Sequence, residues 1–479
     1  MAPDAAAAAA RRAHPCVDPG EAPRAPGVEP PPRYAMSQLP RGPRSRLLTT
    51  YKFLTRPFEF LTHCAATYGD VFNVPVVSGD VVIAGGPRTV QDVMTAPPET
   101  FLPFATRAIA PLVGEHSLLM LSDERHRRER KLLTPPFHGD RMRAYAAAMA
   151  DTAARRLTEA ARAPRAVAQE LTQAISLDVI IRAVFGVEEP SRTSAFARAV
   201  VAMTDALTPA LTFLPPLQRE LGGLGPYARF RRRVGELDAL FRAQIERARA
   251  APGDDILSLM VSARYDDGSR MSDQAIFDEL RTLLFAGHET TALALAWALD
   301  HVHRHPGVLA RLRDEIDALG PEPDPERLAA LPYLDAVCKE ALRVYPIVTE
   351  SPRLLAQPFR LGEHELLPGT GVAPCILLVH HHPELYPEPS RFRPERFLER
   401  KFSPFEYLPF GGGHRRCIGA AFAMFEMKIV LGVALSAWEF RLLDERPPRP
   451  VRRNLTLSPS GGVPLVLRAR GRSRLYAAA

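Results

Sequence analysis

From about residue 45 onward, apolar residues recur every three or four positions over long stretches, and these are separated by short runs in which they alternate or crowd together. The first spacing gives a helix one buried face, and the second suits strands. A helical pattern over residues 58–68 stops at Gly69, and VFNVPVVSGDVVIAGG (71–86) predicts two strands joined near Ser78, Gly79 and Asp80. Helical spacing then dominates. It predicts helices over 122–133, 141–162, 171–185, 191–207, 227–249, 272–303, 307–319 and 331–344, with Pro or Gly at nearly every junction. The longest has Ser272 to cap its first turn and Pro306 just past its end. At 1.5 Å per residue it would run about 48 Å, enough to cross a domain. Short apolar runs between 352 and 379, broken by LGEHELLPGTG, predict further strands. A Pro-rich irregular stretch follows over 383–409, and 418–438 reads as one more buried helix. The pattern is that of a mainly α chain with small β-sheets, an α+β fold, without an internal repeat.

Composition narrows the class. A chain of 479 residues that is 46% hydrophobic and 24% charged can build a large core and is ordinary for a soluble globular protein. The apolar window LLFAGHETTALALAWAL (283–299) contains His288, Glu289 and two threonines, groups that suit a buried helix better than a membrane span. Net charge is +7, but 61 basic residues are scattered among 54 acidic ones, so no tract marks a nucleic-acid footprint. The five cysteines, Cys16, Cys64, Cys338, Cys375 and Cys417, are odd in number and lack CxxC spacing. This argues against a disulfide framework or structural zinc and fits a reducing cytoplasm. Residues 1–44, rich in Ala, Pro and Arg, predict a mobile tail. Its alanine run precedes its arginines, the reverse of a signal peptide, and no membrane anchor is expected. Residues 45–479 are expected to form a single, monomeric domain.

Candidate chemistry centres on FGGGHRRCIG, residues 410–419. At the start of a helix the sulfur of Cys417 would meet the positive end of the helix dipole and free N–H donors, which favour thiolate. A thiolate can attack a substrate, exchange disulfides or ligate a metal, and no second cysteine is near enough to favour exchange. Gly411, Gly412, Gly413 and Gly419 let backbone approach a large flat group, and Arg415 offers a fork of donors for carboxylates. An iron porphyrin with its propionates meets each demand. The histidine runs 380–382 and 301, 303, 305 lack a carboxylate or cysteine at ligand spacing and are not read as metal sites.

Phe410, Gly413, Arg415, Cys417 and Gly419 match FxxGxRxCxG, and here the chain resembles the cytochrome P450 family of haem-thiolate monooxygenases. Other motifs agree in order and separation. Ala286 to Thr291 (AGHETT) is similar to the family's AGx(D/E)T element, Glu340 and Arg343 to its ExxR pair, and Pro394 to Phe397 to its PERF element. The resemblance covers roughly residue 45 to the end. It implies the P450 fold, with haem b (iron protoporphyrin IX) between the long central helix, which presents Ala286 and Gly287, and the cysteine-bearing loop and helix. It implies Cys417 as iron ligand, with Phe410, Gly413 and Gly419 shaping the loop. Arg415, the pair His126 and Arg130, and Arg353 are implied to hold haem propionates. Glu340, Arg343 and Arg396 are implied to be structural.

Gly287 in mid-helix costs about 1 kcal/mol against alanine, so close approach of a ligand or a local opening is expected there. Thr290 can hold a water or a reacting oxygen by its hydroxyl, and Glu289 can serve a proton relay. No nucleotide-binding motif is present: Leu221 to Gly225 (LGGLG) lacks the preceding strand. Electrons are therefore expected from a separate ferredoxin or flavodoxin with its reductase, docking on Arg125, Arg127, Arg128 and Lys131. Pocket-lining segments implied by the resemblance, 101–118, 207–217 and 347–349, are mostly apolar. Phe104, Ala286, Val348 and Thr349 are expected to meet a lipophilic substrate such as a fatty acid, terpenoid or polyketide, hydroxylated or epoxidised with O2. Two other uses of such a haem stay open at this point: peroxygenase or isomerase chemistry, and a non-catalytic sensor.

Overall fold

The structure, a computed structural model, describes residues 39–470 except 78, 140, 208–210, 212–216, 220–221 and 454. Most of the expected tail and most of the 207–217 segment therefore lie outside the described residues. Residues 39–44 are already tied to the sheet, since the Asn73 N–H donates to the Arg41 carbonyl at 3.0 Å.

The strands are β1 Val71–Val76, β2 Gly79–Ala84, β3 Phe101–Pro103, β4 Ala166–Val167, β5 Arg353–Leu355, β6 Phe359–Leu361, β7 His364–Leu366, β8 Gly371–Pro374, β9 Trp438–Leu442, β10 Pro450–Arg453, β11 Thr456–Pro459 and β12 Pro464–Ala469. The expected hairpin is β1 and β2, antiparallel from Val71 opposite Ala84 to Val76 opposite Gly79. It forms one edge of a mixed sheet ordered β1-β2-β8-β5-β3, in which β2 and β8 run parallel. A second sheet, β4-β12-β9, and two two-stranded ribbons complete the described strands.

Helices make the bulk. The long central helix is Asp273–Arg304, and the Ser272 side chain caps it by accepting the Ala275 N–H at 3.2 Å. It stays unbroken through Gly287. Its second half, Thr291 to Val302, is buried throughout, which explains the apolar window read from sequence. Trp297 is fully buried there, its Nε1 donating to the Leu457 carbonyl at 3.1 Å and its ring 4.0 Å from Tyr345. The cysteine helix, Ala420–Ala437, packs against the central helix. Among the described residues it alone is long and apolar enough to cross a membrane, and 67% of it is buried inside the molecule.

Three expectations change. The helix expected over 141–162 is two, Arg141–Ala144 and Ala146–Ala160, meeting at Tyr145. The helix expected over 171–185 begins earlier, at Ala168, and ends in a π turn, Ile180–Val184. Residues 376–379, expected as strand, lie in a helix, Ile376–His380. A five-residue apolar run is too short for its spacing to separate the two.

Candidate active site

The cysteine loop closes on itself: the Cys417 N–H donates to the Phe410 carbonyl at 2.9 Å. Gly413, at φ +64°, sits so close to the helix Pro87–Thr95 that a Cβ would lie 2.4 Å from the Met94 carbonyl oxygen. Glycine is forced there. At Gly419 neither a positive φ nor a neighbouring atom calls for glycine.

Cys417 is exposed by surface area yet deep among protein atoms. That depth raises its pKa, outweighing the Gly419 N–H and the charges of Arg130 and Arg416, which pull it down. In this structure burial therefore opposes the thiolate that the helix end was expected to favour; a coordinated metal, which deprotonates a thiol outright, would restore it.

Around the loop stands a cationic cluster. Arg353 is buried at 4% exposure and donates to the carbonyls of Val93 and Gly412, both at 3.2 Å. Its Nε, also buried, has no partner. Arg415 donates to the Leu118 carbonyl at 3.3 Å and to that of Leu121, and Arg130 to the Arg416 carbonyl at 2.6 Å. The His126 and His414 rings meet edge to face at 6.0 Å. Burial first, with repulsion among the cations and, at Arg415 and His414, the opposing charge of Asp123, brings Arg353 and Arg415 each down to about 10, His126 to about 3 and His414 to about 4. Among the described residues none of Arg130, Arg353 and Arg415 has a carboxylate within ion-pair distance. Buried and half-buried cations with an orphaned donor and no carboxylate at ion-pair distance fit the two propionates of a haem.

On the central helix Ala286 is exposed in the interior run of the chain, while the back of Gly287 is filled. A Cβ there would lie 2.9 Å from Ile180 Cδ1, so the glycine serves close packing on the helix that ends in the π turn. The Thr290 hydroxyl donates to the Ala286 carbonyl at 2.6 Å, which leaves its oxygen free as an acceptor. Glu289 is buried, and burial raises its pKa against the opposing pull of Arg453, whose Nε lies 3.3 Å away and whose side chain is half exposed. His288 turns back on its own helix, Nδ1 2.8 Å from the Leu284 carbonyl.

Glu340 receives two bonds from Arg343, the Arg393 N–H at 2.8 Å and Arg396 Nε at 3.3 Å. Arg343 continues to the His380 carbonyl at 2.8 Å, and Arg396 to the Pro387 carbonyl at 2.6 Å. His380 Nε2 in turn accepts the Leu408 N–H at 3.0 Å, so the trio grips the chain that leads into the cysteine loop.

The expected pocket residues differ in kind. Phe104 packs against β8, its Cε2 3.1 Å from where a Gly371 Cβ would stand, and Val348 is half-buried. Thr349 is buried, its hydroxyl engaged with Glu350 and with Arg452 at 3.2 Å. The basic face of the helix Asp123–Leu133 is largely paired within the chain: Arg127 with Glu124 at 2.6 Å, Arg128 with Asp267 at 2.9 Å, Lys131 with Asp266 at 2.8 Å. Arg453 and His414 were not anticipated. Neither sits at a motif position, and only the fold brings Arg453 to Glu289. A cavity of about 470 Å³ lined by Asp300, Arg304 and residues 442–448 lies at the far end of the central helix, away from this chemistry.

The fold and this centre define a haem-thiolate protein. A family model described as cytochrome P450 matches residues 40–465. Cytochrome P450 135B1 of Mycobacterium tuberculosis is 37% identical over 442 residues, 90% of this chain and 92% of that one. Cytochrome P450 137 of the same species is 35% identical over 435 residues, 88% of each. A solved structure titled retinoic acid bound cyanobacterial CYP120A1 superposes with a TM-score of 0.79 at 26% identity, covering 90% of this chain and all of that one. The chain belongs to the cytochrome P450 family and is a haem-dependent monooxygenase.

Proposed function

We propose that this chain inserts one oxygen atom of O2 into a lipophilic small molecule, by hydroxylation or epoxidation, as a monomeric cytoplasmic enzyme reduced by a separate ferredoxin or flavodoxin system. Residues 45–479 would act as one catalytic domain. The observation that carries the reading is the accessible Cys417 beside the buried Arg353, whose Nε has no partner, and Arg415 and Arg130, which make no ion pair among the described residues.

Cys417 would hold the iron, and His126, Arg130, Arg353 and Arg415 the carboxylates. Bound there, haem supplies the activation of O2 that no side chain here can perform. Thr290 Oγ1, its proton committed to the Ala286 carbonyl, accepts a hydrogen bond from a water or a reacting hydroxyl beside Ala286. Glu289 carries protons toward that point from the half-exposed Arg453 side. Ala286, Phe104 and Val348 supply apolar wall, whereas Thr349 keeps its hydroxyl turned to Glu350 and Arg452. The retinoic acid named for the cyanobacterial structure, an apolar carboxylic acid, supports a lipophilic substrate.

The experiment is a titration of haem-loaded protein with fatty acids, terpenoids and polyketides, read by the low-to-high-spin shift and followed by product analysis with a redox system. Polar sugars or nucleotides shifting the spin state, with no lipophile doing so, would sink the substrate reading. Absence of the thiolate-type band of the reduced carbon monoxide complex would sink the ligand assignment.

A further inference from the structure

Two buried carboxyls on the central helix have no part in the chemistry above. Asp278 and Glu279, at most 2% exposed, lie about two turns before Ala286 and face the segment 114–121 that leads into the helix Asp123–Leu133. Three successive residues of that segment are stitched to the central helix. Asp278 Oδ2 accepts the His116 N–H at 2.9 Å, the Ser117 hydroxyl meets Thr282 Oγ1 at 2.7 Å, and Glu279 Oε1 accepts the Leu118 N–H in a short bond. Gly114, at φ +86°, makes room: a Cβ there would fall 2.1 Å from the Asp278 carboxylate. The segment then passes directly to Arg415, which takes the carbonyls of Leu118 and Leu121. Leu118 is thus held through its N–H by Glu279 and through its C=O by Arg415.

We propose that Glu279 is a positioning residue for the haem carboxylates: by fixing Leu118 it fixes the donor fork of Arg415 relative to the central helix. This rests on the reading of Arg415 as a holder of those carboxylates. Packing alone is a poor account of such an acid. A buried carboxyl costs stability that an apolar side chain of similar size does not, and burial pushes Glu279 up to about 8. What the carboxyl adds is a fixed acceptor for one N–H, on one of the two residues whose carbonyls orient Arg415.

The test is haem release from holoenzyme to excess apomyoglobin in a cycle of Glu279→Leu, Arg415→Lys and the double variant, with amide hydrogen exchange of the 114–121 peptide. Glu279→Leu should speed release by about tenfold, equivalent to about 1.4 kcal/mol, and raise exchange in that peptide. Glu279→Gln, which keeps a carbonyl acceptor, should stay within about twofold of the parent. The double variant should release haem no faster than the faster single one. Multiplying effects would show independent action and overturn the proposal, as would equal effects of Leu and Gln. If Arg415→Lys itself leaves release unchanged, the underlying reading of Arg415 fails. If Arg415→Lys speeds release and Glu279→Leu does not, only the present inference fails. Glu279→Met replaces Leu where the latter does not fold.

Discussion

Glu340 and Arg343 are joined in a fork, Nε to Oε2 at 2.7 Å and Nη2 to Oε1 at 2.9 Å, with no solvent contact at either side chain. Their remaining sites go to the Arg396 side chain and to backbone at His380 and Arg393. Glu340→Gln or Arg343→Gln leaves buried charge unmatched, and such a break costs about 3–5 kcal/mol. Denaturant midpoints and haem absorbance per protein should both fall. A variant with full haem content and parental stability would show that the trio is not what holds the loop.

Thr290→Val removes the hydroxyl and keeps the shape. Stability should change little, while product formed per electron falls by at least about tenfold and hydrogen peroxide rises to match, within the range of acid–base contributions. Unchanged coupling would remove Thr290 from proton delivery.

Arg453 lowers the pKa of Glu289 against the effect of burial. Arg453→Ala should therefore move the Glu289 limb of the pH–rate profile to higher pH, because the carboxyl keeps its proton further up the scale. A profile that does not move would separate the two residues.

Glu426 is fully buried on the cysteine helix, and neither carboxyl oxygen has a hydrogen-bond partner. Burial pushes it up to about 8 from an ordinary 4.5, and nearby Ser176, outside bonding geometry, opposes this only weakly. The folded protein then holds a proton that the unfolded chain releases, so this contribution is whole below about 4.5 and is lost as pH rises through about 8. Glu426→Gln should flatten the stability profile across that window by up to about 1.4 kcal/mol per pH unit, measured by denaturation at stepped pH. Parallel profiles for the two proteins would contradict the assignment.

Asp266 and Asp267 sit on cations expected to meet an acidic reductant. Replacing both with Asn should speed bimolecular reduction by an acidic ferredoxin at low salt and steepen its salt dependence. Reversing charge at Arg127 and Arg128 should do the opposite. Rates indifferent to both changes would place docking elsewhere.

These cases show what sequence carries. The central helix was legible because Ser272 and Pro306 punctuate a strong local pattern, and the cysteine loop because its glycines and arginine crowd one thiol. Glu340 and Arg343 could be paired from their spacing of three, but their grip on Arg393 and His380 depends on chain 37–53 residues away. A still larger separation, 135–139 residues, hid the acidic loop whose Asp266 and Asp267 pair with Lys131 and Arg128. The helix-end argument for Cys417 used only neighbours along the chain, whereas its proton affinity is set by everything folded around it.

Gly287 and Ile180 share a single slot, one helix giving up its side chain where the other inserts a methyl. Anyone enlarging residue 287 must move or trim the Ile180 side chain, so the room beside Thr290 can be retuned only together with the helix that packs behind it.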